Sequence, residues 1–400
     1  MDILQVLYFY TPYTSGLTIY AERLSRELVR RGHRVTVLTS LHDPSMPRDE
    51  MTAEGVRIVR VPIAANLDRA VLMPGFLPTG VRLLRDHDVL HLHLPMAEAA
   101  GFSAIGRAMR KRVVVTHHAD LELDGSLLKR LAPKVGRWSS IAAGRLAHRT
   151  IANTQDQASI SPTVTRVGTR VSIIPPPIVI PQPSPDARSR FRAERNLGNG
   201  PVVGYVGRFT SEKGLDILMQ TIPTILASFP NATFALAGPN RDGRTNLPLN
   251  GPWDEWITRY QQHVRVLGLL SDQELTDFYA ACDVLALPST NGTETFGMVQ
   301  VEAMLCGTPS VSSDLPGVRE PVRMTGMGRT AKAGDVADLA NALLDVISHP
   351  EHFTRPADEI SRRFSLARTV DAYEHVYRGE DAGVHQPATS ASVDSHAGAK

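Results

Sequence analysis

The chain has 400 residues, 42% hydrophobic and 21% charged, with a formal net charge of +2. At roughly 100–200 residues per domain this length predicts two domains, and the balanced charge carries no electrostatic footprint for nucleic acid. Two cysteines, Cys282 and Cys306, are too few for a disulfide framework or a zinc cluster and read as reduced core thiols in a reducing compartment.

The N-terminus, MDILQVLYFY, has an aspartate where a secretory leader would carry positive charge. No stretch approaches the ~20 apolar residues of a membrane span. The expectation is a cytoplasmic protein that begins with a buried strand over Ile3–Tyr10. After the loop TPYTSGL, Ile19, Leu24 and Leu28 fall near helical spacing until Gly32. Further strands are predicted at Arg34–Thr39, Val56–Val61, Val89–Leu94 and Val113–Thr116. Strands alternating with helices imply a largely parallel sheet covered on both faces.

Six prolines between Pro175 and Pro185 rule out a helix or central strand and predict a stiff, extended linker. The alternation then restarts. A strand at Val202–Val206 leads to a helix over Gly214–Ser228 and a strand at Thr233–Ala237. Ser271 and Glu274 form a capping box for a helix through Cys282, and a strand follows at Val284–Leu287. The expected fold is α/β, with two doubly wound Rossmann-like domains facing across a cleft. The boundaries are an N-terminal domain over 1–178, a proline-rich junction over 179–200 and a C-terminal domain over 201–360. A helix over 361–378 packs back toward the first domain. The small, polar segment 379–400 reads as a disordered tail.

Three stretches of the second half carry chemistry. In GYVGRFTSEKGLDIL, Arg208 and Lys213 flank a loop between a strand end and a glycine-led helix, which suits a diphosphate or is an ordinary solvated loop. In GTETFGMVQVEAMLCGTPSV, Glu294 and Glu302 enclose seven residues. A helix starting near Phe296–Gly297 points free N–H groups at what precedes it. Two carboxylates flanking that point can each accept from the hydroxyls of one sugar ring. Taken singly, Glu294 reads more simply as a turn residue and Glu302 as a solvated helix residue. DLPGVRE, residues 314–320, is a turn after a strand.

In the first half, VVVTHHAD places His117 and His118 at a strand end. His91 and His93 alternate onto one face of VLHLHL, as a metal site or, more simply, as hydrogen-bonded sheet histidines. Asp86–Asp88, a DHD sequence before a strand, reads as a loop. Leu127–Arg149 carries six basic residues and no acidic one around Trp138. It suits an anionic membrane or a phosphate-bearing acceptor, or is a solvated basic helix pair.

GRFTSEKG, VLGLLSDQEL, ETFGMVQVEAMLCGTPSV and DLPGVRE, in this order, resemble the retaining nucleotide-sugar glycosyltransferases of the group-1, family-four type. That resemblance implies the GT-B fold and transfer of a sugar from a nucleoside diphosphate to an acceptor hydroxyl with retention of configuration. It implies no metal or other cofactor. Arg208 and Lys213 match the residues that hold the donor diphosphate, Glu302 the ribose contact and Glu294 the contact to the transferred sugar. Phe296, Gly297, Met298 and Val299 complete the donor segment. On the acceptor side, Gly16 matches the first loop and His118 the residue beside the donor sugar, with Asp120 next to it. Glu294, His118, Arg208 and Lys213 form the implied catalytic set. The partners implied are a nucleotide sugar and a glycan, lipid-linked or small acceptor, with peripheral membrane contact through Leu127–Arg149. Two departures stand out, Ser15-Gly16 and Pro316-Gly317 where the family has Gly-Gly. Two other functions fit the same architecture, a nucleotide-sugar epimerase or hydrolase and a non-catalytic sugar-nucleotide-binding subunit.

Overall fold

The computed structural model describes residues 1–67, 70–120, 127–168, 170–239, 251–292 and 294–380. In chain order its strands are β1 (Asp2–Val6), β2 (Arg34–Leu41), β3 (Asp49–Met51), β4 (Arg57–Pro62), β5 (Ala65–Leu67), β6 (Ala70–Leu72), β7 (Val89–Leu94) and β8 (Arg112–His117). They continue as β9 (Arg149–Ala152), β10 (Val171–Ile173), β11 (Val202–Val206), β12 (Thr233–Ala237), β13 (Val264–Gly268), β14 (Val284–Leu287), β15 (Ser310–Ser313) and β16 (Gly328–Ala331). Helices cover both faces of a parallel sheet, so its central strands are apolar throughout rather than alternating. Every residue of β7, β12 and β14 is buried.

The first sheet has the order β10-β9-β8-β7-β1-β2-β4-β3 and is parallel except for the edge strand β3. The second, β13-β12-β11-β14-β15-β16, is parallel throughout. β5 and β6 form a small antiparallel pair. Counted from β11, the second sheet runs 3-2-1-4-5-6, the order of a doubly wound nucleotide-binding sheet, and its direction of winding reverses between β11 and β14. In the first sheet the reversal falls between β1 and β7.

The structure redraws three elements. β1 stops at Val6, not Tyr10; backbone bonds to β2 persist at Leu7 and Tyr8, and Leu7 and Tyr10 are buried in the core. The segment Gly214–Ser228 holds two helices, Leu215–Gln220 and Ile222–Ser228. Pro223 has no N–H to continue the first, and the Thr221 hydroxyl donates to the Leu218 carbonyl at 2.7 Å. The C-terminal segment also divides, at Ser365, into Ala357–Phe364 and Leu366–Arg378.

The proline-rich stretch is extended. Beyond it the helix Ala187–Glu194 packs on the helix Asp272–Ala281 through Phe191 and Phe278, with Arg190 paired to Asp277 at 2.6 Å. The helix Ala357–Phe364 joins the second domain's cluster around Phe296 and Met304. The last helix crosses to the first domain, where Tyr373 bonds the hydroxyls of Tyr20 (2.5 Å) and Thr116 (2.8 Å). Gly379, at φ 81°, caps this helix, and the Glu380 amide donates to His375, so these two residues finish the helix. The remainder of the expected tail, 381–400, lies outside the described residues. No helix among the described residues is long and apolar enough to cross a membrane.

Candidate functional site

Where the winding of a parallel sheet reverses, adjacent loops leave in opposite directions and open a crevice at the carboxyl ends of the strands. The loops after β11 and β14 meet at such a point. A side chain at Gly214 would place Cβ 1.8 Å from the Pro288 carbonyl oxygen, so only glycine lets the two loops touch. That contact brings Lys213, at the end of one loop, to Glu294 in the other, with Lys213 Nζ 2.5 Å from Glu294 Oε2.

The second oxygen of Glu294 accepts from the Gly297 amide at 3.0 Å. Gly297 caps the helix Met298–Leu305 with φ 74°, and a Cβ there would meet Leu287 Cδ2 at 2.4 Å. The carboxylate therefore sits on an ammonium and on the positive end of a helix at once. Burial pushes the Glu294 carboxyl up, but Lys213 and the Gly297 and Phe296 amides outweigh it and hold the pKa below the usual carboxylate range.

Glu302 lies on the same helix and is nearly buried. Its oxygens accept from the Tyr279 hydroxyl at 3.0 Å and pair with Arg23 at 2.8 Å. Arg23 belongs to the first domain, on the helix Gly16–Arg30. Gly16 opens that helix behind a Ser15–Thr18 capping box and faces Met298 Cε, 3.9 Å from where a Cβ would stand. Ser15 in place of the family's first glycine thus serves as a helix cap.

His118 follows β8. Its ring is hydrogen-bonded to His93 (2.9 Å), stacked on it, and met edge-on by Tyr20. His93 also bonds Gln5, and His91 bonds Thr116 and Tyr377. Burial drives the pKa of all three imidazoles down, and proximity to one another adds to it. The His118 carbonyl accepts from the Thr295 hydroxyl of the second domain at 2.7 Å. A second bridge joins Asp156, on the helix Gln155–Ile160, to Arg319 at 2.7 and 2.8 Å and to the Gly317 amide at 3.1 Å. The two domains thus touch on both sides of the crevice.

Lys213, Glu294 and Gly297 meet directly, Met298 faces Gly16 and Glu302 pairs with Arg23 across the crevice, whereas His118 reaches the second domain only through its carbonyl, its ring being committed to His93 and Tyr20. The structure places four other expected site residues differently. Arg208 is exposed and paired with Glu212 at 2.6 Å. The Phe296 ring is buried against Phe364, so only its backbone faces the crevice. Val299 packs into the apolar cluster behind the sheet. Asp120 accepts from the hydroxyls of Ser161 and Thr163, which commits both its oxygens to the first domain's own framework. Asp86–Asp88 stays at the opposite end of its strand, where Asp88 accepts from the Asp2 amide. Among the described residues no group of three or more His, Cys, Asp or Glu is placed to hold a metal ion.

Arg23, Asp156, Tyr279 and Thr295 were not foreseen as part of this site. For Arg23 a signal exists. Tyr20, Arg23 and Glu27 recur at helical spacing, and Tyr20 and Glu27 are buried, so a guanidinium lies on a largely buried face.

Two α/β domains whose sheets face a shared crevice, with these loops at the reversal points, define a GT-B glycosyltransferase fold. A solved sucrose-phosphate synthase from Thermosynechococcus elongatus has it, superposing with a TM-score of 0.75 over 94% of this chain and 98% of that one at 21% identity. Two family models tile the sequence, "Glycosyltransferase Family 4" over residues 14–180 and "Glycosyl transferases group 1" over residues 200–349. The chain belongs to this group-1, family-four class of glycosyltransferases. It is 28% identical to a GDP-mannose-dependent alpha-(1-6)-phosphatidylinositol monomannoside mannosyltransferase of Mycolicibacterium smegmatis, covering 85% of this chain and 88% of that one. It is 27% identical to a D-inositol 3-phosphate glycosyltransferase of Nocardia farcinica, covering 90% and 84%.

Proposed function

We propose that this enzyme transfers a hexose from a nucleoside diphosphate sugar to the hydroxyl of a glycan, lipid-linked or small polyol acceptor, with retention of anomeric configuration. The observation that carries this is the meeting of Lys213 with Glu294 at the start of the helix Met298–Leu305, at the sheet's reversal point. An ammonium and outward-pointing amides suit a diphosphate, and carboxylates beside them suit sugar hydroxyls. Relatives whose names specify GDP-mannose or an inositol acceptor favour a hexosyl donor and a polyol acceptor.

In this reading Lys213 and the helix start stabilise the charge that grows on the departing diphosphate. Arg208 joins them by leaving Glu212. Glu294 holds the transferred sugar and Glu302 the ribose. His118 and Gly16 line the side from which the acceptor enters. Retaining glycosidases set a carboxylate nucleophile against a carboxylic acid. Here the two glutamates are engaged as hydrogen-bond acceptors, and the chemistry proposed is single-faced, with the departing diphosphate taking the acceptor's proton. The proposal uses no metal, because a cation and amides supply the positive charge. Incubating the chain with UDP-, GDP- and ADP-hexoses, with and without phosphatidylinositol and inositol phosphate, tests it. Acceptor-dependent release of nucleoside diphosphate with the α-anomeric signal retained is expected. Conversion of the donor alone to an epimer or free sugar would favour the epimerase or hydrolase instead.

A lipid-linked acceptor would bring the first domain to a membrane on the cytoplasmic side. Val135 and Trp138 are exposed on the helix Leu127–Leu146, with Lys134 beside them. An apolar pair among basic residues is suited to the interface of an anionic bilayer. Sedimentation with phosphatidylglycerol vesicles should retain the chain, and Trp138→Ala should release it; equal retention of both would contradict the contact.

A further inference from the structure

We propose that Glu294 is the resident occupant of the diphosphate position, and that donor binding is an exchange in which the diphosphate takes Lys213 and the helix start from Glu294 and so releases this carboxylate to the sugar. This rests on the donor-site assignment above. An anion site at a helix start beside a cation is built for negative charge. The side chain now filling it is itself an anion. Glu294 Oε2 takes the Lys213 ammonium at 2.5 Å while Oε1 takes the Gly297 amide at 3.0 Å. Two of the donors assigned to the diphosphate are therefore already engaged by the residue proposed to grip the sugar.

The pair is partly shielded, with each side chain 19% exposed. Solvent weakens it less than an open surface pair, and an incoming anion must compete with it. A diphosphate carries more charge and more acceptor oxygens than a carboxylate, so it is the stronger partner for one ammonium. Once displaced, Glu294 has lost its cation and has unsatisfied oxygens close to where a sugar on that diphosphate lies. Gripping the sugar then follows phosphate binding. A free hexose, lacking the diphosphate, meets a carboxylate that is already occupied. Selectivity for the activated sugar over the free one is thereby written into a single side chain. The same exchange means that part of the diphosphate's binding free energy is used to break the resident pair.

The exchange makes an opposite-signed demand on one variant. Glu294→Gln keeps the shape and one acceptor but removes the competing charge. Calorimetric titration of the full chain would first identify which of UDP, GDP and ADP the wild type binds. That diphosphate should bind Glu294→Gln about tenfold tighter than wild type, the effect of losing one charge-assisted hydrogen bond. Sugar transfer by the same variant should fall. The corresponding monophosphate, which lacks the second phosphoryl group, should gain less. Equal or weaker diphosphate binding by a folded Glu294→Gln overturns the exchange while leaving the donor site standing. Failure of the wild type to bind any of the three overturns the donor site itself. If the variant does not fold, a crystal structure of the wild type with the bound diphosphate decides the matter. Lys213 on a phosphate oxygen and Glu294 moved off it support the exchange; a persisting Lys213–Glu294 pair rejects it.

Discussion

Replacing Lys213 by alanine removes the ammonium on which the crevice's charge balance depends. Glu294 would keep its bond to the Gly297 amide but face a buried site without a cation. Preorganised groups aimed at developing charge commonly contribute ~10²–10³ in rate each. Turnover of a nucleotide sugar by Lys213→Ala should fall by about that factor in a chain that still folds, with its thermal transition lowered by the unpaired Glu294, measured by initial rates and calorimetry; near-normal turnover would remove Lys213 from the donor site. Lys213, Glu294 and Glu302 were singled out in the sequence by the family resemblance, since residue type and spacing alone left ordinary loop and helix readings open. Their partners were not. Nothing in the linear order places Arg23 beside Glu302, or turns Arg208 onto Glu212, because those contacts depend on rotamers and on another element's position.

At the scale of elements, the histidines of β7 and β8 form a buried polar stack beneath the last helix. His91 is fully buried, and burial, with His118 nearby, lowers its pKa to about 3. An unfolded imidazole takes its proton near pH ~6.5. Between those limits the unfolded chain binds more protons than the folded one, so stability is lost as the pH falls. From His91 alone the loss between pH 7 and pH 5 is about 2 kcal/mol. His93 and His118 shift the same way. The urea midpoint should therefore drop on acidification, and His91→Asn should show a smaller drop. Parallel pH curves for the two proteins would refute the buried neutral stack. The alternation of His91 and His93 gave their common face from sequence. Only the fold showed Tyr373 and Tyr377, nearly three hundred positions away in the chain, closing the network.

For the molecule as a whole, two ion pairs among the described residues span the crevice, Arg23 to Glu302 and Asp156 to Arg319 with the Gly317 amide, beside the Thr295–His118 hydrogen bond. The Asp156–Arg319 pair, about a fifth exposed on each side, adds little to stability, on the order of 1 kcal/mol, but it helps fix one domain's angle to the other. Asp156→Ala should leave the thermal transition nearly in place and enlarge the radius of gyration in small-angle scattering. It should also raise the share of donor lost to hydrolysis, since closure is what excludes water. A variant as compact as wild type, with an unchanged ratio of transfer to hydrolysis, would show that the bridge does not hold the domains.

Periodicity and proline density were enough to give two parallel α/β domains, because strand burial and helix capping are local properties of sequence, whereas the two glutamates acquired their reading as sugar and ribose contacts only from the family resemblance. The order of strands, the reversal between β11 and β14 and every contact across the crevice came from tertiary structure. These contacts join residues far apart in the chain, and their geometry exists only once both sheets are closed against each other.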